Sequence, residues 1–289
     1  MHVHIAGGYV KAVAHAKAVG ASAMQVFSSN PRSYRTAPLD EPMLDAFAKL
    51  RAENDLDPCV IHTPYLINLA SADDKIAQGS LTLLKHDLAA AARGKMRFVN
   101  THLGSYGNRN RDEAFTGICR LLEAALADIS PNVFLVLENS AGSGSLAGGT
   151  LEELGGLMKA IDHPQLGVCL DTAHAWATGY QIDSPEGVDR FVAEAEEKIG
   201  LDRLLMFHFN DTQVPLGGSR DRHWHIGEGN IGFAGFRALL AHPELRDKTA
   251  ILETPGSDED DARNMQTIRA ILKGVEREAP RLASQARVP

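Results

Sequence analysis

Apolar and polar positions follow two rhythms along this chain. Short, near-continuous apolar runs recur, and longer segments between them carry apolar residues at helical spacing. The runs are His2–Ile5, Ala23–Phe27, Pro58–His62, Met96–His102, Asn132–Glu138, Leu166–Asp171, Arg203–Phe209 and Thr249–Thr254. They have the texture of strands buried on both faces.

The intervening segments predict helices over Tyr9–Val19, from Asp40, over Asp73–Ala92 and Asp112–Asp128, from Thr150, from Ser184-Pro185, over Phe233–Leu240 and over Asp258–Gly274. Asp40 is an expected N-cap, with Pro42 in the first turn. Thr150 and Glu153 have the spacing of a capping box. Eight β-α units in this length predict an α/β protein, a closed parallel (β/α)8 barrel. A doubly wound open sheet is the alternative, but no Gly-x-Gly-x-x-Gly follows the first run. No linker, repeat or low-complexity tract interrupts the pattern, so residues 1–289 are expected to form a single domain.

In parallel barrels chemistry sits at the C-terminal ends of the strands. At or next to the ends of runs three to eight stand His62, His102, Glu138, Asp171, His208 and Glu253. His174 follows Asp171 by three residues, in the turn that leaves the sixth run. Asp221 and His223 come from the long loop after the seventh, in Asp221-Arg-His-Trp-His-Ile-Gly-Glu-Gly-Asn-Ile-Gly232. One His at a strand end is ordinarily a satisfied polar group, and one acid there is a cap or an ion-pair partner. Six at corresponding positions are not explained that way. Crowding so many carboxylates on one rim is costly without cations. His, Asp and Glu ligation suits zinc, with manganese or iron as replacements. Nine ligands exceed what one tetrahedral ion needs and fit two or three ions with bridging carboxylates.

Composition narrows the picture. The 44% hydrophobic and 23% charged content is that of a globular protein with a sizeable core. A formal net charge of −8 argues against broad, nonspecific coating of nucleic acid, though bound cations can reverse the field at one site. Cys59, Cys119 and Cys169 are widely spaced and odd in number, as expected of reduced thiols in a cytoplasmic protein. No secretory signal and no run of 18 apolar residues is present. The Gly142–Gly149 loop lacks the lysine of a P-loop. His15, His86, His163 and His242 are expected away from the rim, and His225 is open. His2 and His4 alternate, so one of them could face the interior and support a ligand. Arg109 and Arg111 are either a solvated pair or phosphate contacts.

The motifs together resemble the endonuclease IV family of apurinic/apyrimidinic endonucleases. The resemblance is carried by Ile61-His-Thr-Pro-Tyr-Leu-Ile-Asn68, Asn100-Thr-His-Leu-Gly-Ser105, Val136-Leu-Glu-Asn-Ser140 and Gly167-Val-Cys-Leu-Asp-Thr-Ala-His174. It continues in His208-Phe-Asn-Asp211, Asp221-Arg-His223 with Gly227-Glu-Gly-Asn-Ile-Gly232, and Leu252-Glu-Thr-Pro255. It implies a TIM barrel with three Zn2+ ions. One would take His62, His102 and Glu138; a second Glu138, Asp171, His208 and Glu253; a third His174, Asp221 and His223. It also implies metal-assisted hydrolysis of the phosphodiester 5′ to an abasic site in duplex DNA, leaving a 3′-hydroxyl, with Glu253 and Glu138 catalytic. Arg32, Tyr65 and Leu66 match the side chains such enzymes insert at the lesion. The chain is expected to act as a monomer. Family members usually have more residues before the first His, which puts the closure between the first and eighth strands in question. A xylose-isomerase-like sugar isomerase or epimerase is the rival reading, and a non-catalytic lesion binder with structural zinc the third.

Overall fold

The computed structural model describes residues 1–5, 7–28, 33–34 and 36–285. Seven parallel strands lie in chain order in one sheet: β1 (Met24–Phe27), β2 (Cys59–His62), β3 (Phe98–Thr101), β4 (Phe134–Glu138), β5 (Leu166–Asp171), β6 (Leu204–His208) and β7 (Thr249–Ile251). Around them run α1 (Tyr9–Ala18), α2 (Glu41–Ala52), α3 (Asp74–Arg93), α4 (Arg111–Leu126), α5 (Leu151–Ile161), α6 (Thr172–Ala177), α7 (Pro185–Lys198), α8 (Gly232–Ala241) and α9 (Asp258–Gln285).

The first expected strand is reduced to a single bridge between His2 and Gln25. That bridge still joins the two edges of the sheet. Val3 N–H donates to Gln25 O at 2.8 Å and Gln25 N–H to Met1 O at 3.0 Å, on the β1 side. His2 N–H donates to Leu252 O at 2.8 Å, just past β7. The closure doubted from the short N-terminus is therefore made, by a segment too short to count as a strand. Closing the ring satisfies edge groups that an open parallel sheet would leave bare.

Two apolar clusters flank the strands. The larger fills the space between sheet and helices and includes Val26, Ile61, Val99, Leu135, Leu137, Val168, Leu170 and Phe207. The smaller plugs the barrel interior with Val60, Phe98, Val136, Cys169, Met206 and Ile251. Side chains along a strand alternate between faces. Two residues beyond that plug, still facing inward, come His62, Asn100, Glu138, Asp171, His208 and Glu253. The period of two thus converts a buried apolar layer into a polar layer at the C-terminal rim.

Local signals hold with adjustments. Asp40 caps α2 by accepting from Met43 N–H at 3.0 Å, and Asp73 caps α3. Thr150 Oγ accepts from Glu153 N–H, but the Glu153 carboxylate reaches past the cap to Gly149 N–H, so the box is one residue offset. His174 lies in α6, not in a turn: Asp171 accepts its N–H at 2.9 Å and starts that helix directly at the strand end. α9 runs to Gln285, beyond the expected stop at Gly274. Among the described residues no helix is long and apolar enough to cross a membrane.

Candidate metal centre

The nine side chains expected at the rim converge at one end of the barrel. Glu138 is fully buried at the centre, with its Oε2 3.3 Å from His62 Nε2 and 3.4 Å from His102 Nε2. Its Oε1 lies 2.9 Å from His208 Nδ1. His208 Nδ1 is also 3.2 Å from Glu253 Oε2 and 4.0 Å from Asp171 Oδ2. On the far side His174 Nε2 stands 3.2 Å from Asp221 Oδ1, and His223 Nε2 stands 3.4 Å from Asp171 Oδ2. Among these nine, three sets of ligand atoms are each compact enough for an ion: His62, His102 and Glu138; Glu138, Asp171, His208 and Glu253; and Asp171, His174 and His223. Glu138 and Asp171 each belong to two sets. Asp171 therefore leans toward the third group as well as the second, which the expected assignment did not include.

The orientation of the imidazoles decides what this cluster can do. His62 Nδ1 lies 2.8 Å from Thr63 O, His174 Nδ1 2.9 Å from Asn139 O, and His223 Nδ1 3.1 Å from Glu253 O. Each carbonyl only accepts, so each ring donates its Nδ1–H outward and turns Nε2 toward the carboxylates. His208 is reversed: its Nε2 lies 2.9 Å from Gln25 Oε1, leaving Nδ1 inward. The result is a ring of lone pairs facing anionic oxygens. His174 Nε2 and His223 Nε2 face each other at 3.4 Å. Such lone pairs repel unless a proton or a cation lies among them. Outer acceptors that fix the tautomer in this way are the usual support of metal-binding histidines, so the residues fit a metal.

The carboxylates are held by buried amides. Asn100 Nδ2 donates to Glu138 Oε2 at 2.5 Å and Asn210 Nδ2 to Asp171 Oδ2 at 2.6 Å. Asn139 Oδ1 accepts from Asp171 N–H at 2.6 Å. Asn210 Oδ1 accepts from Glu253 N–H at 2.9 Å, while Gln25 Nε2 donates to Glu253 Oε1 at 2.5 Å. His2 Nδ1 lies 3.0 Å from the same Oε1, so His2 is the histidine of the first segment that supports a ligand, and His4 is exposed. Sequence reasoning named none of these amides as site residues. The signal was available: Gln25 and Asn100 interrupt apolar strand runs at the inward positions.

Electrostatics follow from this geometry. Burial would push the Glu138 carboxyl up, but His102 and His208 outweigh it and hold it well below the usual range. Glu253 is held down in the same way, chiefly by His208. Burial opposes charge on His174, yet Asp171 and Asp221 pull its pKa up to about 10. Burial lowers His102, which lacks an equally close carboxylate pair.

The centre opens into a cleft of about 1020 Å³ lined by His2, Tyr65, His102, Trp224 and Pro255 among others. Tyr65 stands on its edge, 66% exposed, with its ring against Phe27 at 5.2 Å; Phe27 in turn packs on His62 at 5.5 Å. Leu66 is half-buried beside it. Arg32 lies outside the described residues. His15, expected away from the rim, lines the cleft, where its Nε2 meets Asp261 Oδ2 at 2.9 Å. His225 contacts Asn264 Nδ2 at 3.1 Å. Arg109, in the loop before α4, donates to Ser71 O, and Arg111, the first residue of α4, packs over Tyr106.

Residues 13–274 match the xylose isomerase-like TIM barrel family. A probable endonuclease 4 from Natranaerobius thermophilus is 39% identical over 94% of this chain and 96% of its own length. The crystal structure of endonuclease IV from Thermus thermophilus superposes with a TM-score of 0.84 at 36% identity, covering 95% of this chain and 98% of that one. An L-ribulose 3-epimerase superposes at 0.74 with only 17% identity over 100% of this chain and 99% of its own, a likeness of fold alone. With its closed parallel barrel and its nine-residue rim, this chain belongs to the endonuclease IV family.

Proposed function

We propose that this chain is a zinc-dependent DNA repair endonuclease that hydrolyses the phosphodiester 5′ to abasic sites in duplex DNA and leaves a 3′-hydroxyl. The observation that carries the reading is the set of inward-turned imidazole nitrogens around shared, buried Glu138 and Asp171. The endonuclease names of its relatives support the reaction class. The epimerase likeness supports only the barrel.

Three Zn2+ ions would take His62, His102 and Glu138; Glu138, Asp171, His208 and Glu253; and His174, Asp221 and His223, whose ligand atoms lie 3.2–3.5 Å from one another with Asp171 close beside them. When bound, zinc supplies hydroxide at neutral pH and positive charge for the phosphate oxygens. The protein's part is placement. Glu138 joins two groups and fixes their spacing. Glu253 is catalytic: its carboxylate, pinned by Gln25 and His2 while its main-chain N–H is held by Asn210, orients the attacking oxygen. Tyr65 and Leu66, with Arg32, enter the duplex at the lesion, where the missing base lowers the cost of extruding the sugar. Other DNA contacts are to phosphates and weaken with salt.

A nicking assay tests the reading. The substrates are a duplex with one abasic site, the undamaged duplex and a panel of ketoses, each with and without prolonged chelation. Nicking at the lesion alone, abolished by chelation and accompanied by more than one zinc per chain, is expected. Ketose turnover without nicking would assign the chain to the sugar isomerases.

A further inference from the structure

Two loops at the rim are tied together by one side chain. The loop between β1 and α2 carries Tyr34, and the loop between β2 and α3 carries Tyr65 and Leu66. Tyr34 Oη donates to Leu66 O at 2.5 Å. The Tyr34 ring lies on α3 at Gly79, where an added Cβ would stand 3.3 Å from Tyr34 Cδ1 and 3.5 Å from Cε1. A glycine inside a 20-residue helix carries a conformational cost, and here it leaves the seat for that ring.

Two more contacts fasten the same loop to the same helix. Ser28 Oγ donates to Asp87, a carboxylate buried in α3. His86 Nε2 lies 3.0 Å from Ala37 O. Ser28, Tyr34 and Ala37 thus sit on one face of α3, and Tyr34 reaches on from there to the second loop. Tyr65 is presented from that second loop on the Phe27 ring, which itself touches His62.

We infer that Tyr34 is a positioning residue: it fixes the main chain at Leu66 and so sets how Tyr65 and Leu66 meet the duplex. The inference rests on the nuclease reading. Tyr34 needs no contact with the metal ligands or the scissile phosphate to do this. Its loss acts on substrate binding and leaves the chemical step alone.

Steady-state nicking of a single-lesion duplex is compared for the wild type, Tyr34→Phe, Tyr34→Ala and Gly79→Leu, with zinc content and melting temperature recorded for each. Tyr34→Phe removes one hydrogen bond, so KM rises roughly three- to tenfold. Tyr34→Ala, which also removes the ring, raises it further. Gly79→Leu fills the seat with a better helix former, so KM rises while the melting temperature does not fall. In all three kcat stays within about twofold and zinc content is unchanged. A KM unchanged in both Tyr34 variants, with normal wild-type nicking, overturns the role of Tyr34 alone. A fall in kcat that tracks zinc loss overturns it as well. A wild type that leaves the duplex intact overturns the nuclease reading and this inference with it.

Discussion

The Asp211 carboxylate and the backbone of Gly229 are in such close contact that a Cβ at residue 229 would stand 2.3 Å from Asp211 Oδ1. The reason is a turn of chain wrapped around one anion. Asp211 accepts backbone N–H groups from Thr212, Gly227, Gly229, Ile231 and Gly232 at 2.8–3.1 Å. The loop carrying Asp221 and His223 runs between Asp211 and this turn, so the carboxylate fixes both of its ends. Gly229→Ala and Asp211→Asn should each disturb the third ligand group. The expected outcome is loss of about one metal per chain and a fall in nicking of at least about a hundredfold. Metal analysis on purified variants checks it, and full occupancy with full activity in both would remove Asp211 from the account.

Glu253 has a different vulnerability. Its carboxylate faces His208 on one side and Gln25 and His2 on the other. Glu253→Gln keeps the shape and removes the charge. Cleavage should fall by roughly three orders of magnitude or more while affinity for lesion DNA changes little. Single-turnover kinetics beside a gel-shift titration separates the two, and near-normal cleavage would remove Glu253 from catalysis.

Proton balance gives a third test. His174 is pulled from its ordinary 6.5 up to about 10 by Asp171 and Asp221 against the effect of burial, so the metal-free fold holds a proton there at neutral pH. A raised pKa means that this stabilisation is complete below 6.5 and is lost as pH rises through about 10. Asp221 is lowered to about 2, so its contribution is present above 3.8 and is lost as pH falls through about 2. The metal-free protein should therefore melt lower near pH 10 than near neutrality. Zinc uptake at this group must expel the proton. Titration calorimetry near neutral pH in two buffers of different protonation enthalpy should give different heats; identical heats would contradict a proton on His174.

Tyr65 stands on edge at the cleft, 66% exposed and backed by Phe27. Tyr65→Ala should raise KM for an abasic duplex by roughly ten- to a hundredfold, the scale of one or two lost base-stacking contacts. Zinc content should stay unchanged, because Tyr65 supplies no ligand atom and its ring stands 6.1 Å from that of His62, which Phe27 still backs. Equal KM values for variant and wild type would place the lesion contact elsewhere.

Arg51 concerns stability alone. It is 3% exposed and donates to Gly94 O at 2.7 Å and Lys95 O at 3.0 Å, closing the C-terminal end of α3. Arg51→Ala strips the buried Gly94 carbonyl and the part-buried Lys95 carbonyl of their donor and should cost about 2–4 kcal/mol. Chemical denaturation of the metal-loaded protein measures this. A loss well under 1 kcal/mol would mean the carbonyls find other partners.

The barrel and most of its centre were legible in the chain itself. Apolar runs buried on both faces require helices on one side and a filled interior on the other. With a period of two, a polar residue two positions beyond an inward apolar one also faces inward at the rim. That is why His62, Glu138, Asp171, His208 and Glu253 could be placed without coordinates. Tertiary structure alone decided three things. Closure came through Met1–Val3, because pairing on both sides of a three-residue segment depends on where β1 and β7 lie in space. The buried amides Gln25, Asn139 and Asn210 became supports, because which carboxylate or main-chain group an amide reaches is a matter of distance between strands far apart in sequence. Asp211 became the anchor of a loop, because a carboxylate gathers five N–H groups only once the chain has turned back around it. Periodicity fixes the face on which a side chain lies; its partner is fixed by packing.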